Sequence, residues 1–181
     1  MIIKIVFLCL LMGVVLTFTL WFVVQLFLVT FGKNEKAVYV PSFNKDIALM
    51  RELDLIRGKK IIDLGCGDGK ALRFFAREYG LQGIGYDFNL QAIRYGKVIN
   101  FFTKQSVRLV HSDFSVADIT QTDYLYLYLF PQQMLDIEDR IFSSLKEDAV
   151  VIANTFRFGK HEPFQVIKNR KGKERIFLYR K

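Results

Sequence analysis

The stretch Asp63-Leu64-Gly65-Cys66-Gly67-Asp68-Gly69 holds the residues whose types and spacing bear most directly on chemistry. Glycines at alternate positions let a backbone turn sharply and let a ligand reach main-chain N–H groups that a Cβ would screen. An apolar run, Lys60-Ile61-Ile62, precedes the loop, and a helix-forming run from Lys70 to Tyr79 follows it. The positive end of that helix points back at the loop. Asp63, closing the strand, adds a carboxylate suited to a polar or cationic group. The pattern is that of a nucleotide-type ligand held in a βαβ unit, with a plain strand-to-helix turn as the ligand-free alternative.

Two ligands compete for such a loop. A dinucleotide site has the spacing G-x-G-x-x-G, whereas this chain has G-x-G-x-G with an aspartate inside it. A pyrophosphate would meet Asp63 and Asp68 at close range. S-adenosylmethionine fits better, since its sulfonium and amino group are cationic and its ribose offers two hydroxyls. The expected cofactor is therefore S-adenosylmethionine, with Asp63, Gly65, Cys66, Gly67 and Gly69 around it. The next strand candidate, Gly83 to Tyr86, ends at Asp87, 24 positions after Asp63. An acid there grips ribose hydroxyls in a parallel α/β sheet, and Phe88 beside it joins the same site. The alternative is that Asp87 or Asn89 only starts the helix from Leu90 to Phe102. A third strand, Val107 to Val110, leads into His111-Ser112-Asp113-Phe114. Asp113 is placed to accept from the adenine amino group, with Phe114 flanking the ring. A polar loop after a strand is the plainer reading of Asp113.

The elements that must position these residues follow from the hydrophobic pattern. A helix is expected over 44–55, then strand 60–64, helix 70–79, strand 83–86, helix 90–102 and strand 107–111. Strand 124–130, helix 132–145 and strand 149–156 follow. Two strand-like runs, 164–167 and 175–179, flank a basic turn and read as a hairpin. Strand and helix alternate up to 156. The fold class is therefore α/β: a Rossmann-like, doubly wound, mostly parallel seven-stranded sheet with a C-terminal antiparallel hairpin. Ligands in such sheets sit beyond the C-terminal ends of the strands, where Asp63, Asp87, Asp113, Phe130 and Phe156 fall.

Residues Ile5 to Val29 carry no charged side chain over 25 positions. At 1.5 Å per residue that length crosses a hydrocarbon core of about 30 Å. A cleavable signal peptide is the rival, but its apolar region runs to only about 7–15 residues and ends in a small-residue site, which Leu28-Val29-Thr30-Phe31-Gly32 lacks. The domain organisation is thus a transmembrane anchor over 1–31, a linker over 32–42 and one catalytic domain over 43–181. Basic residues near the two ends of the span are almost balanced, so orientation comes from the cofactor. S-adenosylmethionine is an interior metabolite, which places the domain on the cytoplasmic face, with a bacterial inner membrane as the expected site.

The 181 residues carry a net charge of +8, all of it outside the span. Such a charge suits anionic lipid or acidic partners, although a solvated basic surface is the default. The two cysteines, Cys9 in the span and Cys66 in the loop, are not placed to pair. Cys66 is read as a small residue rather than a nucleophile. Two histidines and no Cys/His cluster give no metal site, and no Ser-His-Asp arrangement stands out.

Taken together, these motifs resemble class I S-adenosylmethionine-dependent methyltransferases across residues 37–181. Asp63 to Gly69 is similar to the family's first motif, Asp87 to its acidic second-strand position and Asp113 to its adenine-side acid. A narrower resemblance rests on Tyr39-Val40-Pro41-Ser42, on Leu127 to Met134 with Phe130-Pro131-Gln132 at its centre, and on Val151 to Phe156 with Asn154. It is to the mitochondrial lysine methyltransferases that modify the ATP synthase c-subunit and the adenine nucleotide translocase, and to their small bacterial membrane-anchored relatives. Leu129-Phe130-Pro131-Gln132 departs from the Asn/Asp-Pro-Pro-Tyr/Phe motif of nucleic-acid amino-group methyltransferases, so no nucleic-acid substrate is expected.

What the resemblance implies is methyl transfer to a lysine of a membrane protein. The enzyme must hold donor and acceptor in line and present the amine neutral, which an apolar pocket favours. Tyr39, Phe130, Phe156 and Phe158 are candidates for that pocket, Gln132 and Asn154 for orienting the acceptor, and Pro131 for shaping the turn. Core filling is the plainer reading of the aromatics. A quinone or lipid acceptor, or a cofactor-binding module without catalysis, are the competing functions. The oligomeric state is left open.

Overall fold

The computed structural model describes residues 2–31 and 44–181, with side chains over 4–24 and 47–181. The chain divides into two units, Met1–Val38 and Tyr39–Lys181. Among its described residues the first contains one helix, α1 (Ile2–Phe31). Its stretch Lys4–Val24 is long and apolar enough to cross a membrane, and every side chain along it is exposed.

The second unit opens with a short helix, α2 (Asn44–Leu49), which tightens into a 3-10 turn at Met50–Glu52. The expected helix 44–55 therefore ends early. Leu53 turns to an extended conformation and its N–H caps Met50 O, while Tyr79 Oη donates to the carbonyls of Met50 and Leu53 at 2.7 and 3.0 Å. These bonds give the turn's last carbonyls a partner that a continuing helix would not need.

There follow β1 (Lys60–Leu64), α3 (Lys70–Tyr79), β2 (Gln82–Asp87), α4 (Leu90–Thr103), β3 (Arg108–His111), β4 (Tyr124–Leu127), α5 (Pro131–Ser144), β5 (Val150–Asn154), β6 (Gln165–Lys168) and β7 (Glu174–Arg180). The strands form one seven-stranded sheet in the order β3-β2-β1-β4-β5-β7-β6. The first five are mutually parallel, and β7 inserts antiparallel between β5 and β6. The chain order reverses between β1 and β4, the place where open α/β sheets form a ligand crevice.

Both faces of the sheet are covered, so its central strands read as apolar runs rather than alternating ones. Ile61, Tyr126 and Ile152 point to one face, packed with Leu72, Phe75 and Ile93 from α3 and α4. Ile62, Leu125, Leu127 and Val151 point to the other, packed with Met134, Ile137 and Ile141 from α5.

Two strands are shorter than the pattern implied. The run 124–130 is extended throughout by composition, but β4 stops at Leu127. Pro131 occupies the first position of α5, where its fixed φ and missing N–H cost nothing, and residues before a proline avoid the helical region. Tyr128 to Phe130 thus become the connection. Similarly, β5 stops at Asn154 rather than 156, because Thr155 takes φ +74° and breaks the ladder.

Candidate cofactor and acceptor site

The loop after β1 is built by hydrogen bonds to β2. The amides of Gly65 and Cys66 both donate to Tyr86 O, at 2.8 and 3.1 Å. Gly65 needs a positive φ, +82°, and a Cβ there would come within 2.7 Å of Leu129. Gly67, at φ +55°, turns its N–H to Asp87 Oδ2 at 2.8 Å. Gly69, also left-handed, is the N-cap of α3. The loop is therefore a narrow cradle whose shape the glycines permit and whose position Asp87 fixes.

Asp87 does two things at once. It accepts from Gly67 N through one oxygen and from Asn89 N through the other, at 2.7 Å. The start of α4 is capped by Asn89, whose side chain accepts from Gln91 N and Ala92 N. The N-cap alternative thus belongs to Asn89, which leaves Asp87 at the strand end with lone pairs for a ribose. Phe88 is half-buried, and its carbonyl receives the Nε2–H of His111 at 3.0 Å. That bond ties the loop after β2 to the end of β3.

Asp63 stands apart electrostatically. It is 2% exposed, and among the described residues no hydrogen bond reaches its carboxylate. Burial, then the charges of Asp87 and Asp68, hold its pKa well above the usual carboxylate range. An ionised carboxylate in such a place calls for a cationic partner. The same burial, with Asp63 and Asp87 adding to it, pushes the Cys66 thiol far up. Cys66 is a packed, unreactive thiol, and a Cβ on Gly85 would strike it at 2.6 Å.

Asp68, the second acid of the loop, is turned away from this role. It accepts from Lys70 N at 3.0 Å and pairs with Arg73 at 3.2 Å, while Arg73 also donates to the Asp68 carbonyl. It closes the first turn of α3.

Asp113 is exposed and caps the 3-10 turn Phe114–Val116, accepting from Ser115 N at 2.8 Å. Phe114 is half-buried against the α5 side of the core. Arg140, on α5, donates to the carbonyls of Phe114 and Ala117 at 3.2 and 2.7 Å. It holds in place the turn that carries both residues. No local signal marks Arg140, since it lies 26 positions away along the chain.

The acceptor-side candidates divide. Phe130 is 41% exposed and Phe156 is half-buried, so both present ring surface. Gln132 is exposed but gives its amide to Asp136 at 2.9 Å, one turn along α5. It is Gln133 that reaches back to Phe130 N, at 3.2 Å. Asn154 is buried, with its Nδ2 donating to Tyr126 Oη at 2.9 Å and its Oδ1 accepting from Thr155 Oγ1 at 3.1 Å. Phe158 is core filling, with its ring 5.2 Å from Phe142 and 5.0 Å from Tyr179. Tyr39, together with Pro41 and Ser42, lies outside the described residues.

A buried carboxylate escaped the sequence reading altogether. Glu138 accepts from the backbone N–H groups of Gly159, Lys160 and His161 at 2.8–3.0 Å, and from His161 Nδ1 at 2.8 Å. His161 stacks on Phe142 at 3.6 Å. Burial raises the Glu138 pKa, but the His161 bond and the three amides outweigh it and hold the group low. This clasp closes the segment that follows Phe156.

A glycine cradle thus lies beside a buried acid that no described residue bonds and an acid at the second strand end. Residues 63–165 match the ANTKMT methyltransferase domain. The chain belongs to that family. It is, by family and fold, a class I S-adenosylmethionine-dependent methyltransferase. The human lysine N-methyltransferase of the ATP synthase c-subunit is 27% identical over 130 residues, covering 71% of this chain and 55% of the relative. The Xenopus laevis protein of the same name is 26% identical over 130 residues, covering 69% and 56%. The chain thus spans about half the length of these curated relatives. Among solved structures, an RNA methyltransferase from Salinibacter ruber in complex with S-adenosyl-L-homocysteine superimposes with a TM-score of 0.71 at 21% identity, covering 78% of this chain and 93% of the other. A methyltransferase from Geobacter sulfurreducens with the same ligand gives 0.57 at 19% identity, covering 78% and 58%. These two show the shared fold.

The residues present fit S-adenosylmethionine. The cradle is narrow, with no room for a side chain at Gly65 or Gly69. Asp63 is a buried acid with no hydrogen-bond partner among the described residues, and Asp87 stands at the second strand end.

Proposed function

We infer that this methyltransferase is anchored to a membrane by α1 and transfers a methyl group to a lysine amine of a membrane-associated protein. The observation that carries the cofactor site is the Asp63 carboxylate, buried beside the glycine loop with no hydrogen bond from any described residue. Asp63 would face the cationic methionine end, Asp87 the ribose hydroxyls, and Asp113 with Phe114 the adenine. The bound cofactor supplies a methyl group already activated on a sulfonium. The chain's own work is to orient, to exclude water and to keep the amine neutral.

For the acceptor, the exposed faces of Phe130 and Phe156 offer apolar ring surface, with Pro131 setting the turn that presents Phe130. Asn154 acts through Tyr126 and Thr155 as a fixed support. Gln132 is available to the acceptor only by leaving Asp136. Support for a lysine acceptor comes from the relatives' name, and support for a membrane-confined one from the exposed apolar length of α1. The domain would lie on the cytoplasmic face, where the cofactor is held, and no nucleic acid is expected as substrate.

The deciding experiment incubates the purified full chain, in lipid discs, with methyl-labelled S-adenosylmethionine and the host's membrane fraction. Label in a small set of protein bands, mapped to lysine by mass spectrometry, is the expected result. Label that moves into the organic phase overturns the lysine reading in favour of a lipid or quinone acceptor. Cofactor binding with no label transferred points to a module without catalysis.

A further inference from the structure

From Phe88 to Ser112 the chain has no acidic residue, yet it has Arg94, Lys97, Lys104 and Arg108. This is the segment that forms α4 and leads into β3, at the β3 edge of the sheet. Its inner face is well used: Ala92, Ile93, Gly96 and Asn100 are buried. Its outer face is not polar, as that of a solvated helix would be. Tyr95 is 63% exposed, Val98 52%, Phe101 79% and Phe102 76%. The spacing of 95, 98 and 102 places three of them in one stripe, and Phe101 lies beside it at the same end. Arg94, Lys97 and Lys104 are exposed along the flank of that stripe.

Four contiguous large apolar side chains on a soluble surface mark an interaction site. Apolar side chains flanked by cations, in a segment without an acid, match a surface that is anionic outside and apolar beneath, where long basic side chains reach the headgroups and rings enter the boundary. The same chain carries a helix long and apolar enough to cross a membrane.

We propose that the outer face of α4 is a second membrane contact, which lays the domain on an anionic lipid surface with Tyr95, Val98, Phe101 and Phe102 in the headgroup boundary and Arg94, Lys97 and Lys104 on the phosphates. Asn89 caps α4 two residues after Asp87. Seating the helix on the bilayer thus brings the ribose end of the cofactor site close to the lipid plane, where a membrane-confined acceptor lies. The occupant rests on the anchoring proposed above, and the test separates the two.

The full chain has a single tryptophan, Trp21, in α1. In lipid discs containing chain-brominated lipid, quenching of Trp21 reports the anchor. The double variant Trp21→Phe, Phe101→Trp places the only tryptophan on α4. Loss of most of its emission in anionic discs is expected. That quenching should disappear in wholly zwitterionic discs, and also when Arg94, Lys97 and Lys104 are changed to Glu, since each basic residue contributes about fivefold to association with an anionic surface. Trp21 quenched with position 101 unaffected overturns the α4 contact and keeps the anchor. Position 101 quenched with Trp21 unaffected keeps the contact and overturns the anchor. A blue shift at position 101 without bromine quenching overturns the proposal, because protein then covers the face, whether a second copy or another segment of this chain. A shift that appears only on adding RNA overturns it in favour of nucleic acid.

Discussion

The Gly67 amide donates to the Asp87 carboxylate at 2.8 Å. The acid at the end of the second strand therefore holds the loop that leaves the first. Residues 20 positions apart are locked together before any ligand arrives, and the cradle is preorganised. Substitution at Asp87 should act on both binding and fold. Asp87→Asn, which retains one acceptor, should weaken cofactor binding by about 10–100-fold in calorimetry. Asp87→Ala should weaken it further and cost about 2 kcal/mol of unfolding free energy, since two amides lose their acceptor. Unchanged affinity in both variants would remove Asp87 from the site.

Asp63 is held in an unfavourable environment for its charge. Its folded-state pKa lies above its unfolded value, so the folded domain keeps a proton that the unfolded chain releases. Ligand-free stability should fall as pH rises from the ordinary carboxylate range through the folded pKa. Asp63→Asn should remove that dependence and stabilise the ligand-free protein by about 1 kcal/mol, while abolishing measurable cofactor binding. Denaturation across pH, with and without S-adenosylmethionine, measures both; a variant less stable than the parent above that pKa would contradict it.

Glu138 should behave in the opposite sense. Its folded pKa lies below the ordinary value of 4.5, so its contribution is present above that value and lost as pH falls through the folded pKa. Glu138→Ala leaves three backbone amides and His161 without their acceptor and should destabilise the domain by about 3 kcal/mol. Hydrogen exchange at Gly159, Lys160 and His161 should rise first.

Thr155 carries φ +74° with a β-branched side chain, a conformation that costs on the order of 1–2 kcal/mol. Thr155→Gly should raise the thermal midpoint even though it loses the hydroxyl bond to Asn154. A lowered kcat with unchanged cofactor affinity would show that the strained residue serves the acceptor end.

The sequence alone carried the strand-loop-helix pattern around Asp63, the acid at 87 and the apolar span at 5–29. These are local signals: a glycine spacing, a periodicity, a run without charge. The same logic explains the alternation that announced a mostly parallel sheet with a terminal hairpin. What only the tertiary structure decided depends on residues distant in sequence. The sequence puts Asp63 and Asp68 in one loop, but packing leaves the first without a hydrogen bond from any described residue and gives the second to Arg73. Gln132 and Gln133 are neighbours, and helix geometry sends one to Asp136 and the other to Phe130. Glu138 meets the amides of 159–161 only because α5 lies beneath the segment after β5. The apolar residues of α4 are alike in type until the sheet buries Ala92 and Ile93 and leaves Phe101 and Phe102 outside. A side chain's type is written in the sequence, but its charge state and its partner are set by what the fold brings against it.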